Sequence, residues 1–175
     1  MKNALSDIEG FPPIVAGNPH LLILGSMPGI TSLQKRQYYG HAQNAFWPIL
    51  GELFGFDYRL DYLLRKKILT DQGIAVWDVL QSCRRQGSLD ANIAPASIRV
   101  NDFALFFEQF PSIRQVFFNG GMAAGFYKKY VLPGLPSRFD YLDYRRLPST
   151  SPAHASLNFG EKLEAWRAIL PSVVK

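Results

Sequence analysis

Residues 21–47 read LLILGSMPGITSLQKRQYYGHAQNAFW. The stretch opens on four consecutive apolar residues and breaks at once into Gly25, Ser26, Met27, Pro28 and Gly29. An apolar run this short, without polar alternation and closed by glycine and proline, reads as a strand covered on both faces, as in a parallel sheet. A polar segment carrying Tyr38 and Tyr39 follows and ends at Asn44. Phe46, Leu50, Leu53 and Phe54 then repeat at i, i+4, i+7 and i+8, one face of a helix.

The rest of the chain repeats this alternation. Apolar runs at 75–80 and 115–119 and a more polar one at 141–147 predict three further strands. Phe103, Phe106, Phe107 and Phe110 mark a helical stripe, and helical patterns cover 122–130 and 161–170. Asn158 with Glu161 three residues later is a capping-box start for the last helix. Alternating strands and helices predict an α/β fold, a parallel sheet with helices on both faces, in one domain spanning 1–175. In such sheets ligands bind beyond the carboxyl ends of the strands. The four exits read GSMPG, WDVLQSC, FNGG and LPSTSPAHAS, and all are expected to face one crevice.

Lys and Arg outnumber Asp and Glu by 19 to 14, giving a net charge of +5. This balance favours a polyanionic partner through phosphate contacts, although a solvated basic surface has the same composition. The single cysteine, Cys83, excludes an internal disulfide and a multi-cysteine metal site. No apolar run approaches the ~20 residues of a membrane helix, and the first residues lack the pattern of a secretory signal. The expectation is a cytoplasmic protein with no membrane association.

Several chemistries fit fragments of this pattern. The GSMPG turn lacks both the dinucleotide fingerprint and the phosphate-binding P-loop motif. Ser26 directly follows a glycine, so it does not match a nucleophile elbow. A Ser26-dependent hydrolase would draw its base from His20, His41 or His154 with Asp78 as orienter, and spacing selects none of them. No histidine pair has metal-ligand spacing. Asn44 is placed to cap the helix after it. Tyr39 lies outside the helical stripe and suits a stacking platform. Asn119 either turns the chain before two glycines or offers its amide at the sheet edge. Pro148, Ser149, Thr150, Ser151, Pro152, Ala153 and His154 form a stiff loop whose N–H and hydroxyl groups suit phosphates.

Together Pro12-Pro13, LLILGSMPG, QYYGHAQNAFW, GIAVWDVLQSCRRQGSLDANI, VFFNGG and LPSTSPAHAS resemble, in order and spacing, the uracil-DNA glycosylase superfamily. They are most similar to its hypoxanthine-DNA glycosylase (DNA-deoxyinosine glycosylase) branch. The resemblance implies a three-layer α/β/α sandwich around a four-stranded parallel sheet. It also implies a monofunctional enzyme that removes a deaminated base from double-stranded DNA, hypoxanthine favoured and uracil the alternative, with no lyase activity. Neither a metal, a cofactor nor an obligate protein partner is implied. The superfamily's first motif usually carries Asp, Asn or Glu where this chain has Ser26 and Met27, a departure that leaves a non-catalytic damaged-DNA binding module as the rival reading. In the branch, the catalytic asparagine comes from the G-H-x-x-N-x-F-W segment, here Asn44. By the same resemblance Gly25, Ser26, Met27, Pro28 and Gly29 floor the base pocket, Tyr39 stacks on the flipped base and Asn119 pairs with its edge. The loop from Pro148 to His154 contacts DNA and fills the vacated stack. Asp78 and Cys83 receive no role.

Overall fold

In the computed structural model, which describes residues 5–171, the run at 21–24 is a strand buried along its whole length. The ends of the expected domain, 1–4 and 172–175, lie outside the described residues. The chain runs through β1 (Ser6–Glu9), β2 (Leu21–Gly25), α1 (Ile30–Lys35), α2 (Phe46–Phe54), α3 (Tyr62–Asp71), β3 (Ile74–Asp78) and β4 (Leu80–Arg85). It continues through β5 (Arg99–Val100), α4 (Phe103–Gln109), β6 (Gln115–Asn119), α5 (Gly121–Phe126), β7 (Asp143–Leu147) and α6 (Phe159–Trp166).

Four of these strands form a parallel sheet in the order β3-β2-β6-β7. Side chains alternate across β2, as the period of a strand requires. Leu22 and Leu24 pack with Phe103, Phe107 and Tyr127 on one face, and Leu21 and Ile23 pack with Phe46, Leu50 and Trp166 on the other. Helices α4 and α5 therefore cover one face and α2 and α6 the other. The result is the three-layer α/β/α arrangement around four parallel strands. No helix among the described residues is long and apolar enough to cross a membrane.

Local signals place most of the helices. Asn158 and Glu161 form the expected capping box at α6, and the phenylalanine stripe of α4 buries Phe103, Phe106 and Phe107. The pattern at 122–130 is an α-helix only to Phe126, and Tyr127–Val131 continues as a π-helical turn. The pattern at 161–170 ends in a 3-10 turn over Arg167–Ile169.

One strand differs in kind from the expectation. The apolar run 75–80 is not one strand, and WDVLQSC is not a loop. The parallel strand stops at Asp78, where Val79 N–H donates to the Gly25 carbonyl at 2.8 Å and Leu80 N–H to that of Ser26 at 3.1 Å. Leu80–Arg85 then enters a second, antiparallel sheet with β1 and β5. An apolar run interrupted by a single aspartate conceals this change of sheet, because both sides of the break are buried. The short strand β1, the two-residue β5, α1 and the weakly amphipathic α3 carry little periodicity and were not expected.

Candidate active site

The carboxyl ends of β2, β3 and β6 and the segment after β7 meet at one cavity of about 580 Å³. Gly25 ends β2 directly opposite Asp78, the last residue of β3. A Cβ at position 25 would fall 2.5 Å from Asp78 Oδ1 and 2.9 Å from the Tyr39 hydroxyl. Glycine here is what lets both polar groups close over the strand end.

Of the expected site residues, Gly25 to Gly29, Tyr39, Asn44, Asn119 and Ser149 to Ala153 all line this cavity. Their orientations differ. Met27 is buried in the hydrophobic core. Thr150 lines the cavity but is only 1% exposed, so its side chain is buried within the loop. Pro148 and His154 are not among the lining residues. The Pro148 carbonyl accepts the Trp166 indole N–H at 2.9 Å, which ties the start of the loop to α6.

Thr150 joins the two asparagines. Its N–H donates to Asn119 Oδ1 and its hydroxyl accepts from Asn119 Nδ2, both at 2.9 Å. A backbone N–H can only donate, so it fixes which end of the Asn119 amide is oxygen. Thr150 uses one donor and one acceptor position of that amide, and the Asn119 side chain also faces the Tyr39 hydroxyl. The Thr150 carbonyl accepts from Ala45 N–H at 3.0 Å, beside Asn44. Asn44 Oδ1 in turn accepts from Phe46 N–H at 2.9 Å, a capping bond, with Ala45 as the boundary residue of α2. From α6, the Lys162 ammonium donates to the Ser151 carbonyl at 3.3 Å.

Tyr39 sits at φ +54°, a left-handed conformation that costs an L-residue roughly 1–2 kcal/mol. Its ring stacks on Phe46 with centroids 4.0 Å apart. Strain of this kind persists where surrounding contacts over-determine the geometry. Burial pushes the Tyr39 phenol well above its ordinary range, so it stays protonated.

The other wall joins the Ser26 turn to Asp90 and Arg85, two polar residues that the sequence did not mark for the site. Ser26 donates its hydroxyl to the Asp90 carboxylate. Arg85, 1% exposed, donates to the carbonyls of Pro28 at 2.6 Å and Gly87 at 2.8 Å and lies 3.8 Å from Asp90. Asp78, 3% exposed, is raised to about 7 by burial first and by the Asp90 charge second, with Arg85 opposing. The GSLDANI segment that brings in Asp90 was visible in the sequence, but its contact with the turn at Ser26 was not. Ser26 has a carboxylate for its partner where a hydrolase triad needs an imidazole. His20, at the other end of β2, packs against Gly73.

A second cavity, of about 690 Å³, lies behind Tyr38 between the 11–16 segment and α3. Among the described residues no carboxylate or carboxamide lines it; its polar groups are Arg36, Lys66, Lys67, Thr70, Tyr38 and Tyr62.

Residues 12–170 match the family described as "Uracil DNA glycosylase superfamily". The chain is similar to a hypoxanthine DNA glycosylase of Methanosarcina acetivorans, 35% identical over 162 residues that cover 92% of this chain and 96% of that protein. It is also similar to a hypoxanthine DNA glycosylase of Methanosarcina barkeri, 40% identical over 113 residues, 64% of this chain and 70% of that one. Among solved structures, it resembles the solution NMR structure of a uracil DNA glycosylase candidate from Methanosarcina acetivorans. The TM-score is 0.77 at 32% identity, covering 94% of this chain and 96% of that one.

Proposed function

The chain belongs to the uracil DNA glycosylase superfamily and is a DNA glycosylase, and on that premise we propose that it removes hypoxanthine from duplex DNA by water attack on a flipped-out deoxyinosine. The joint placement of Asn44 and Asn119 on one cavity, tied together through Thr150, carries this reading. A base inside a duplex is out of reach, so the nucleotide leaves the stack at a cost of a few kcal/mol. Residues of the 149–154 loop and the basic surface hold the distorted backbone, and the loop fills the gap. The free face of Tyr39, braced from behind by Phe46, takes the base in a stack worth roughly 1–3 kcal/mol. Asn119 offers its remaining donor and acceptor to the carbonyl and adjacent N–H of hypoxanthine.

As the bond from C1′ to the base stretches, the sugar becomes an oxocarbenium-like electrophile, and orienting the water matters more than deprotonating it. Asn44 Oδ1 keeps a lone pair beyond the one given to Phe46, and this accepts a hydrogen of the attacking water. N–H groups of the 25–29 turn receive charge that develops on the base oxygen. No lysine is among the described residues that line the cavity, so the abasic product is expected to stay unnicked. The preference for hypoxanthine over uracil rests on the names of the two relatives.

Single-turnover excision from duplexes carrying one hypoxanthine or one uracil tests the proposal, with alkali to reveal abasic sites. Hypoxanthine release that falls on the order of 10²–10³-fold in Asn44→Ala is the expected outcome, a loss typical of a group that acts only in the transition state. Release of uracil alone moves the substrate and keeps the site. Binding of damaged duplex without release of either base makes the protein a damage-binding module.

A further inference from the structure

Among the described residues three buried side-chain polar atoms have no hydrogen-bond partner, the Tyr39 hydroxyl, Asp78 Oδ2 and Arg85 Nη1. Tyr39 and Asp78 line the cavity, and Arg85 lies 3.8 Å from Asp90, which lines it too. A buried polar atom left unpaired costs about 1–3 kcal/mol. Such groups persist where something other than the folded chain completes them. Asp78 differs from the other two because it can release a proton. It ends β3 opposite Gly25 and lines the cavity beside the turn that carries Ser26 and Met27. Its backbone is clamped, with the carbonyl accepting from Asn101 Nδ2 at 2.8 Å and the next N–H bonded to Gly25.

We propose that Asp78 is the general acid of this site, donating its proton to a ring nitrogen of the departing purine. The inference rests on the base-excision reading above and adds a second catalytic residue to it. The C1′–N9 bond breaks and its electron pair leaves with the base. The Asp78 proton moves to N3 or N7 of the purine, so hypoxanthine departs as a neutral molecule and Asp78 is left as carboxylate. Water oxygen bonds to C1′, and its surplus proton returns to Asp78 through solvent once the base has gone. The groups facing this carboxyl are the Tyr38 and Tyr39 phenols from the loop, Tyr62 from α3, Arg85 from β4 and Asp90 from the turn after it. Burial and the Asp90 charge keep Asp78 protonated up to about pH 7, against the pull of Arg85, which is where a general acid is useful near neutrality.

The test is single-turnover excision of hypoxanthine between pH 5 and 9 by the wild type, Asn44→Ala and Asp78→Asn. The wild-type rate should fall about tenfold per pH unit above the titration of Asp78. At pH 6 Asp78→Asn should be slower by on the order of 10²-fold and lack that alkaline decline. A variant with the wild-type rate and slope overturns the proposal. Excision that needs Asn44 and ignores Asp78 removes only the acid role, whereas a wild type that releases no hypoxanthine removes the base-excision reading as well. A second measurement uses the unaltered protein, with duplexes carrying 7-deaza- or 3-deaza-deoxyinosine. At least one analogue should leave about tenfold or more slowly, and that slowing should vanish in Asp78→Asn. Departure of both analogues at the rate of hypoxanthine overturns the proposal independently of any variant's folding.

Discussion

On one wall of the cavity Thr150 holds the Asn119 amide by one hydrogen bond at each end, while on the opposite wall Asp78 Oδ2 and the Tyr39 hydroxyl are buried without hydrogen-bond partners, as is Arg85 Nη1 beyond Asp90. Both walls are equally dry: Thr150, Asn119, Asp78 and Arg85 are all under 10% exposed. Burial alone therefore does not account for the contrast. The satisfied wall fixes a geometry, because an amide held at its oxygen by an N–H and at its nitrogen by a hydroxyl has one orientation. The unsatisfied wall holds free energy in reserve, since each unpaired group destabilises the fold until a ligand meets it. A rigid wall beside a costly one is the arrangement expected of a site that must hold a base in register and then act on it.

Removing the charge from the costly wall should stabilise the protein and provides the largest test of this contrast. An Asp78 carboxyl raised from 3.8 to about 7 favours the protonated native state. Its contribution is fully present below about pH 4 and is lost as pH rises through 7. Asp78→Asn does not titrate, so it should gain on the wild type across that window, by on the order of a few kcal/mol at pH 8. Thermal or denaturant unfolding at pH 4 and pH 8 measures this. Equal stability differences at the two pH values would show that the carboxyl is not perturbed.

The satisfied wall should respond in the opposite direction. Thr150→Val keeps the shape but takes the hydroxyl acceptor from Asn119 Nδ2, at a cost of about 1–3 kcal/mol in unfolding free energy, read by denaturant unfolding. With the Asn119 amide held only through the backbone N–H of residue 150, base excision should fall at saturating enzyme even where the variant is fully folded. An unchanged rate would separate the Asn119 orientation from function. The smallest effect belongs to an exposed pair. Lys67 and Asp71 meet at 2.7 Å with both side chains more than half exposed, so Lys67→Ala should cost no more than about 0.5 kcal/mol. It sets the baseline against which the two buried walls are judged.

Much of the site was legible in the sequence because its parts are local. Asn44 precedes a helical stripe, Asn119 ends an apolar run before two glycines, and GSMPG follows a buried strand. The orientations within it were not. Thr150 reads as one more hydroxyl in a phosphate-binding loop, yet it turns inward because Asn119, 31 residues earlier, supplies both halves of a hydrogen-bonded pair. Ser26 looks like a free hydroxyl beside glycine until Asp90, 64 residues later, accepts from it. Arg85 counts in the sequence only toward the basic balance, yet it is buried and donates to the Pro28 carbonyl, 57 residues away.

The sequence by itself determined the buried strand β2, the helical faces that cover it, the capping box of α6 and the superfamily to which the chain belongs. These depend on periodicity, caps and motif order, which act over a few residues or are preserved in their succession. Tertiary structure alone decided that the chain changes sheets at Asp78, that this carboxyl lies against Gly25, and that it and the Tyr39 hydroxyl line one cavity without hydrogen-bond partners. Those properties depend on which distant groups come together in the dry interior. There the cost of a charge or an unmade hydrogen bond depends on its neighbours in space, and local spacing along the chain does not reveal them.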